Sequence, residues 1–311
     1  MRNSSEITKA ANLLRQGGLV AFPTETVYGL GGDATSDAAV AKIFAAKSRP
    51  QFNPLISHVA DLEAALALGI FPKAAETLAR VFWPGPLTLV VERRKDCPVS
   101  LLASAGLDSI ALRVPQHDMA LALLKEVDLP IAAPSANRSG RISPTTAAHV
   151  QRSLGSAVDM VLDGGPCAVG LESTVIQFLD GKATLLRPGG LDRFGCECAI
   201  GGKLHVPERG AALHGPGQLE SHYAPHAPLR LNATTPEIGE TYIGFGQYAA
   251  GLYSLSPSGN LQEAAAKLFS LLHEVDGMKP DRIAVAPIPL LGLGEAINDR
   301  LQRAAAPKSP I

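Results

Sequence analysis

The sequence lacks an apolar segment long enough to cross a membrane. A spanning helix needs about 18 or more apolar residues in a row, and the best candidate, near Ile283 to Leu293, contains Pro287 and Pro289. A signal-peptide pattern is also missing, because Arg15 interrupts the only apolar stretch at the N-terminus. We therefore expect a cytoplasmic chain with no membrane partner.

Cysteine is scarce, and no excess of positive charge is present. Cys97, Cys167, Cys196 and Cys198 form no CxxC pair and no paired metal spacing, so we expect free thiols in a reducing compartment and no metal site. Lysine and arginine total 28 against 29 acidic residues, for a net charge of −1. This balance does not indicate nucleic-acid binding by the whole surface, although it is compatible with a local basic cleft.

The sequence does contain alternating strand-like and helix-like segments, which predict an α/β fold. Its 311 residues favour two domains. We expect a catalytic domain over residues 1–205, a linker or lid over 206–228, and a small α/β domain over 229–311. Strands are predicted at 19–22, 54–59, 87–91, 109–114, 131–133, 158–162, 173–178, 183–186, 229–231, 242–245 and 283–286. Helices are predicted at 5–16, from 36 to before Pro50, after Asp61, and at 119–127, 145–154, 260–275 and 295–305.

Two segments near the N-terminus carry polar groups that suit a ligand. A predicted strand ends in the loop Pro23–Gly31, which offers hydroxyls, a carboxylate and glycines. An ordinary tight connection, with glycines chosen for positive φ, explains this loop equally well. Lys47, Arg49, Asn53 and His58 follow within twelve residues, and such a group suits an anion. The competing interpretations are cations at a helix C-terminus and a satisfied strand histidine.

Polar residues later in the sequence complete the candidate site. Ser109 and Arg113 precede the tripeptide Ser135–Asn137, which lacks the nucleophile-elbow glycine of a serine hydrolase. Ser143 before Pro144 predicts a helix N-cap, which is compatible with ligand binding at the same helix end. Arg187 at a strand end is either a phosphate contact or a surface arginine. No GxxxxGK[ST] phosphate loop is present, and Pro225 keeps His222 and His226 from sharing a regular helical face, which argues against zinc.

These segments occur in one order: PTETVYGLG, KSRP with NPL, WPGPLT, LRVP, APSAN, SPT, GLEST and LLRPGG. The series resembles the YrdC/TsaC family of threonylcarbamoyl-AMP synthases. The linker motif HYAP (222–225) and the tail LGLGEAINDRLQRAA (291–305) are similar to its longer, two-domain form. The resemblance implies a YrdC-like twisted mixed sheet with helices and a smaller Rossmann-like C-terminal domain. The PGQL sequence at 216–219 departs from the methionine often found after PG in this form, which affects the expected pose of the linker.

The resemblance also implies a reaction and residue roles. L-threonine, bicarbonate and ATP would give threonylcarbamoyl-AMP and pyrophosphate, with Mg²⁺ carried by the nucleotide. A partner enzyme would transfer the threonylcarbamoyl group to tRNA next to the anticodon. The catalytic cations would be Lys47 and Arg49. Threonine would be held by Thr26, His58, Arg113, Ser135 and Ser173. ATP would be held by Arg49, Asn53, Ser109, Asn137, Ser143, Arg187 and Tyr223.

Two other function classes are open at this point. An RNA-binding module without catalysis could use a basic concave face, although the net charge of −1 argues against strong phosphate-driven affinity. A carbamoyl-transfer protein of the hydrogenase-maturation type shares the YrdC-like core, but it would carry acylphosphatase and zinc-finger segments that this sequence lacks.

Overall fold

A computed structural model describes residues 2–50, 53–179, 181–207, 221–249 and 251–307. The departure at 216–219 lies outside these ranges. Within them the helices are α1 Arg2–Arg15, α2 Asp37–Lys47, α3 Leu62–Leu66, α4 Lys73–Phe82, α5 Asp118–Val127, α6 Ala147–Leu154, α7 Arg193–Ile200, α8 Leu261–Gly277 and α9 Leu293–Ala305. None of these helices is long and apolar enough to cross a bilayer.

The strands form two sheets. The first has ten strands: β1 Val20–Phe22, β2 Gly29–Asp33, β3 Ile56–His58, β4 Gly69–Ile70, β5 Leu87–Arg93, β6 Ser109–Arg113, β7 Ile131–Ala132, β8 Met160–Val161, β9 Thr174–Leu179 and β10 Lys182–Arg187. Its order is β10-β9-β5-β6-β3-β7-β2-β1-β8, with β4 paired to β5. The second has four parallel strands, β11 Leu229–Arg230, β12 Glu240–Gly244, β13 Tyr253–Ser254 and β14 Arg282–Val285, in the order β11-β14-β12-β13. The predicted α/β class, with a large mixed sheet and a smaller unit, is confirmed.

Local capping explains several helix starts. The side chains of Ser36, Asp61 and Asn260 accept backbone N–H bonds at the starts of α2, α3 and α8, as their residue types predict. The predicted cap at Ser143 is wrong, since Thr146 caps α6 instead. The N–H of Tyr28 donates to the Pro144 carbonyl at 2.9 Å, and this bond lies in the connection that precedes the helix.

The glycines after Pro23 are not explained by positive φ, which was the structural alternative for this loop. Residues 29–33 form β2 and not a loop, and Gly29 and Gly31 are not among the residues with positive φ. A Cβ on Gly31 would lie 2.9 Å from the Phe22 ring and 3.1 Å from the Val20 carbonyl. Glycine therefore allows β2 to pack closely against β1. Four further elements, β4, β13, α4 and α7, have no counterpart among the predicted ones.

The two units pack against each other through a shared apolar cluster. The core around α8, α9 and the small sheet includes Tyr223 from the predicted linker and Val27, Ile142 and Leu171 from the first unit. Gly170, with φ of 72°, lies so close to α8 that a Cβ would be 2.6 Å from the Ala265 carbonyl. The connections of the large sheet therefore meet the helices of the small unit directly.

Candidate active site

A buried polar cavity lies at one edge of the large sheet, where it meets the small unit. It is lined by Thr24, Thr26, Val27, Gly29, Arg49, Leu55, Ile56, His58, Arg113, Ala133, Pro134, Ser135, Glu172, Ser173, Arg187, His222 and Tyr223. Three arginines against one glutamate give it a cationic character. Such a convergence of polar groups in a concave site is typical of a binding or catalytic pocket.

Three strands end at this cavity. His58 is the last residue of β3 and pairs in register with Arg113, the last residue of the parallel strand β6. Strand β10 is linked to β6 by way of β9 and β5. The pairings along this path give β10 the same direction as β6, and β10 ends at Arg187. The ends of strands that share a direction meet at one sheet edge, so side chains far apart in sequence converge there.

The loop after β1 is shaped by its own threonines. The hydroxyl of Thr24 donates to the Val27 carbonyl at 2.6 Å and lies 2.8 Å from the Thr26 hydroxyl. Next to it, the guanidinium of Arg113 donates to the Gly85 carbonyl and forms a 2.7 Å ion pair with Glu25. Both charged side chains are buried. Burial and the charge of Arg113 lower the pKa of His58 to about 3, so this histidine is neutral at physiological pH.

The end of α2 holds the next loop in place. Lys47 is 1% exposed, and its ammonium group donates to the carbonyls of Ser135 and Asn137. Burial, and then the charge of Arg49, hold the pKa of Lys47 well below its usual value. Arg49 donates to the carbonyls of Asn53 and Pro54 and lines the cavity. A solvated helix-end cation would not be buried in this way, so the helix dipole alone does not explain the pair.

A second charged network contains Arg187 and Glu172, which also line the cavity. Arg187 donates to the carbonyl and hydroxyl of Ser173 and is buried, so the surface-arginine interpretation is wrong. Glu172 accepts from the Ser143 hydroxyl at 2.5 Å and from Arg300 at 2.7 Å. Burial alone would raise the pKa of Glu172, but the charges of Arg300 and Arg187 hold it below its usual value.

The segment 221–228 from the predicted linker contributes His222 and Tyr223 to the cavity lining. Tyr223 is 1% exposed and adopts φ of 63°, an uncommon value for a residue other than glycine. Its ring stacks on Phe269 of α8 at 5.5 Å and meets the His222 ring edge-on at 4.1 Å. The N–H of Ala224 donates to the Gly140 carbonyl at 2.8 Å. This segment is therefore packed into the site and is not a spacer.

Three residues of the cavity lining, His58, His222 and Tyr223, have a buried polar side-chain atom without a hydrogen-bond partner among the described residues. Arg113 and Glu25 are joined instead by their 2.7 Å ion pair. Buried polar groups in native proteins are nearly always hydrogen-bonded. Such a concentration in one cavity indicates that a polar ligand supplies the partners.

The cavity brings together eight of the residues singled out from the sequence. These are Thr26, Arg49, His58, Arg113, Ser135, Ser173, Arg187 and Tyr223. Five others do not line it, although all five are buried: Lys47, Asn53, Ser109, Asn137 and Ser143. Thr24, Glu172, His222 and Arg300 were missed. Arg300 had a detectable signal, because Ile297, Leu301 and Ala304 place it on the apolar face of α9.

The described residues contain no group of three or more histidine, cysteine or acidic side chains that could hold a metal ion. All four cysteines are free thiols, and Cys198 alone among them is exposed. Nor does any serine or cysteine of the cavity hydrogen-bond a histidine within the described ranges. Among the described residues, the cavity therefore shows no serine–histidine or cysteine–histidine pair of the kind that activates a nucleophile.

The fold and the cavity define a two-sheet α/β protein with a cationic site between its units. Residues 12–189 match the Sua5_yciO_yrdC family, described as telomere recombination, and residues 194–306 match the threonylcarbamoyl-AMP synthase C-terminal domain. The chain is 42% identical to threonylcarbamoyl-AMP synthase of Bacillus subtilis, over 97% of this chain and 94% of that protein. It is 40% identical to the Pyrococcus abyssi protein of the same name, over 96% and 94%. A crystal structure of P. abyssi Sua5 complexed with L-threonine matches with a TM-score of 0.89 and 38% identity, over 96% of this chain and 94% of that one.

The chain therefore belongs to the threonylcarbamoyl-AMP synthase family, in its two-domain form. It is an enzyme of the nucleotidyltransferase type that uses ATP. These similarities favour catalysis over an RNA-binding module without activity.

Proposed function

We propose that this enzyme forms threonylcarbamoyl-AMP and pyrophosphate from L-threonine, bicarbonate and ATP. The product would supply the threonylcarbamoyl group for the modification of tRNA next to the anticodon, through a separate transferase. The observation that carries the proposal is the buried cavity, in which arginines and unpartnered polar atoms of the large-sheet unit and of the segment 221–228 converge. The similarity to a Sua5 protein complexed with L-threonine supports this assignment. A cytoplasmic location agrees with the free thiols.

The threonine half of the site is assigned to the ends of β3 and β6. Arg113 is the group that would bind the amino-acid carboxylate, because a guanidinium matches a carboxylate with two parallel hydrogen bonds. Thr26, Ser135 and Ser173 supply hydroxyls, and the neutral His58 ring supplies a donor or acceptor for the substrate hydroxyl. A site that hydrogen-bonds a hydroxyl rejects the analogue that lacks it. We therefore expect selection of threonine over valine.

The nucleotide half is assigned to the cations on the other walls. Arg49 and Arg187 line the cavity and would face the phosphates, and the Tyr223 hydroxyl would contact the nucleotide from the linker. Lys47 would act chiefly by fixing the loop 135–137, since its ammonium group is bound to two carbonyls there. Four further residues assigned to ATP are buried but do not line the cavity, so they would support its walls: Asn53, Ser109, Asn137 and Ser143.

This arrangement suits a displacement that needs no protein nucleophile. Threonine's neutral amine and bicarbonate give the N-carboxylated amino acid and water. A carbamate oxygen then forms a bond to the α-phosphorus of ATP, and the bond from this phosphorus to the pyrophosphate oxygen breaks. The enzyme contributes alignment and positive charge opposite the phosphates.

Mg²⁺, when bound with the nucleotide, would offset phosphate charge. The carboxylates nearest the site are already engaged, Glu25 by Arg113 and Glu172 by Arg300 and Ser143. The residues present therefore fit a metal held mainly by phosphates and water, as is usual for Mg²⁺.

The domain assignment is a proposal of the same kind. It places a catalytic domain at 1–205, a lid at 206–228 and a small domain at 229–311, with the lid segment 221–228 closing over bound ATP. The packing of Tyr223 between the cavity and α8 supports this role.

The test is release of pyrophosphate from ATP with threonine and bicarbonate each omitted in turn, and identification of the nucleotide product by mass spectrometry. We expect release only when both are present. Release that is independent of either substrate would refute the proposal.

A further inference from the structure

Arg300 joins the small unit to the cavity through a fully buried side chain. It lies on α9 and is 0% exposed in its side chain. Its Nε donates to Glu172 at 2.7 Å and one terminal nitrogen donates to the Pro188 carbonyl at 2.9 Å. The other terminal nitrogen donates to Asp299 at 2.5 Å. The guanidinium carbon lies 5.1 Å from the centre of the Tyr223 ring, within the range of a cation–π contact.

We propose that Arg300 is a positioning residue for the nucleotide half of the active site, acting through Glu172 and Tyr223. This inference rests on the proposed function, because it assumes that ATP occupies the cavity. The small unit would thereby supply the charge that makes a buried carboxylate tolerable beside an anionic substrate.

Glu172 is the buried carboxylate whose charge must be balanced. It lines the cavity, and its two oxygens are engaged separately, one by Ser143 and one by Arg300. The nearby charge of Arg187 also stabilises its ionised form. A buried carboxylate facing phosphates would repel them. Asp299, the second carboxylate on Arg300, is also ion-paired to Arg303. With Arg300 in place, the charge of Glu172 is therefore offset and the charge of Arg187 can act on the substrate.

Removal of Arg300 would change this balance in two ways. The uncompensated Glu172 would repel ATP and would compete for Arg187. Tyr223 would lose the cation near its ring, so the segment 221–228 would be held less firmly. Both effects concern ATP more than threonine, whose proposed carboxylate partner is Arg113, which is ion-paired to a different glutamate.

The chain offers a matched control for a connection between the units. Arg193 of α7 forms a 2.6 Å ion pair with Glu295 of α9, so it joins the same helix to the large-sheet unit. That pair is partly exposed, with side-chain exposures of 36% and 30%, and neither residue lines the cavity. If Arg300 acted only by docking the two units, substitution of Arg193 should therefore weaken ATP binding as well, whereas a loss of charge balance should follow only from the change at Arg300.

The experiment compares wild type, R300M, R193M and the double variant E172Q/R300M. ATP binding is measured by calorimetry, and KM for ATP and for threonine are measured from pyrophosphate release. We expect R300M to weaken ATP binding by on the order of 10-fold or more while KM for threonine changes by less than about 3-fold. R193M should match wild type. The double variant should recover part of the lost ATP affinity, because it removes the uncompensated charge.

Three results would overturn the inference: equal losses for both substrates, equal effects of R300M and R193M, or a double variant no better than R300M. Thermal unfolding reports whether R300M is folded. If R300M does not fold, R300K replaces it, because lysine keeps the positive charge but lacks the planar guanidinium. The inference then requires that R300K bind ATP more weakly than wild type does. A wild type that binds ATP without threonine-dependent turnover would refute the proposed function only, since calorimetry still tests Arg300.

Discussion

We expect mild acid to destabilise the protein through two stacked histidines between the units. The rings of His149 on α6 and His273 on α8 lie 4.0 Å apart. Burial, and then the neighbouring His273 and Arg152, lower the pKa of His149 to about 3. Burial also lowers the pKa of His273 to about 4, although the Ser143 carbonyl opposes this shift. Both rings are therefore neutral in the folded state across the physiological range.

The sign and size of the effect follow from proton linkage. Below the ordinary histidine pKa of about 6.5, the unfolded chain binds protons that the folded rings do not. Their contribution to stability is complete above this value and is lost as the pH falls towards the folded pKa. Between pH 7 and pH 5.5 each ring should reduce the free energy of unfolding by about 1.2 kcal/mol, or about 2.5 kcal/mol for the pair. The low-pKa carboxylate Glu172 titrates below this window.

The test is urea unfolding of wild type and His149→Gln/His273→Gln at pH 7 and pH 5.5. His58 and His222 have lowered pKa values in both proteins, so their contribution cancels in the comparison. We expect the double variant to lose about 2 kcal/mol less than wild type over this interval. The same pH dependence in both proteins would refute the reasoning.

Four further substitutions, with Gly165→Ala as a control, test the site and its packing. Lys47→Ala and Arg49→Ala should each lower turnover by on the order of 10²-fold in folded protein; near-wild-type rates in both would make this pair a helix-end cap only. Tyr223→Phe removes a buried hydroxyl without a partner among the described residues, so KM for ATP should rise about 5-fold, and an unchanged KM would contradict the contact. Gly170→Ala should lower stability by about 2–4 kcal/mol through positive φ and overlap with α8. Gly165→Ala, with positive φ but open space, should cost about 1 kcal/mol, and equal losses would contradict the close approach.

Local chemistry made much of the fold predictable from the sequence. The caps at Ser36, Asp61 and Asn260 depend on bonds to residues two or three positions away. The strands that carry His58, Arg113 and Arg187 could be predicted as strands for similar reasons. The convergence of their last residues on one cavity could not be predicted, because it depends on the order and the directions of the strands in the folded sheet.

The errors came from residues whose partners are distant. Ser143 has the local pattern of a cap, yet its hydroxyl bonds Glu172, 29 residues away. Arg300 bonds the same carboxylate across 128 residues. The sequence pattern predicts positive φ for the glycines after Pro23, whereas Gly31 is needed in β2 because its small size allows the close approach to Phe22. In each case the determining contact exists only after the chain has folded.

The segment 221–228 is hydrogen-bonded to three other parts of the protein, and these bonds constrain how the proposed lid can open. The N–H of His222 donates to the Arg303 carbonyl of α9, and the N–H of Ala224 donates to the Gly140 carbonyl of the large-sheet unit. The N–H of Ala227 donates to the buried carboxylate of Asp276 on α8. Two of these bonds join the segment to the small unit and one joins it to the catalytic unit. An opening that moves the segment together with α8 and α9 keeps its bonds to Arg303 and Asp276. It breaks the bond from Ala224 to Gly140 and also the ion pair between Arg193 and Glu295. Such a movement also separates Arg300 from Glu172, so the charge balance of the nucleotide site and its access to solvent change in the same step.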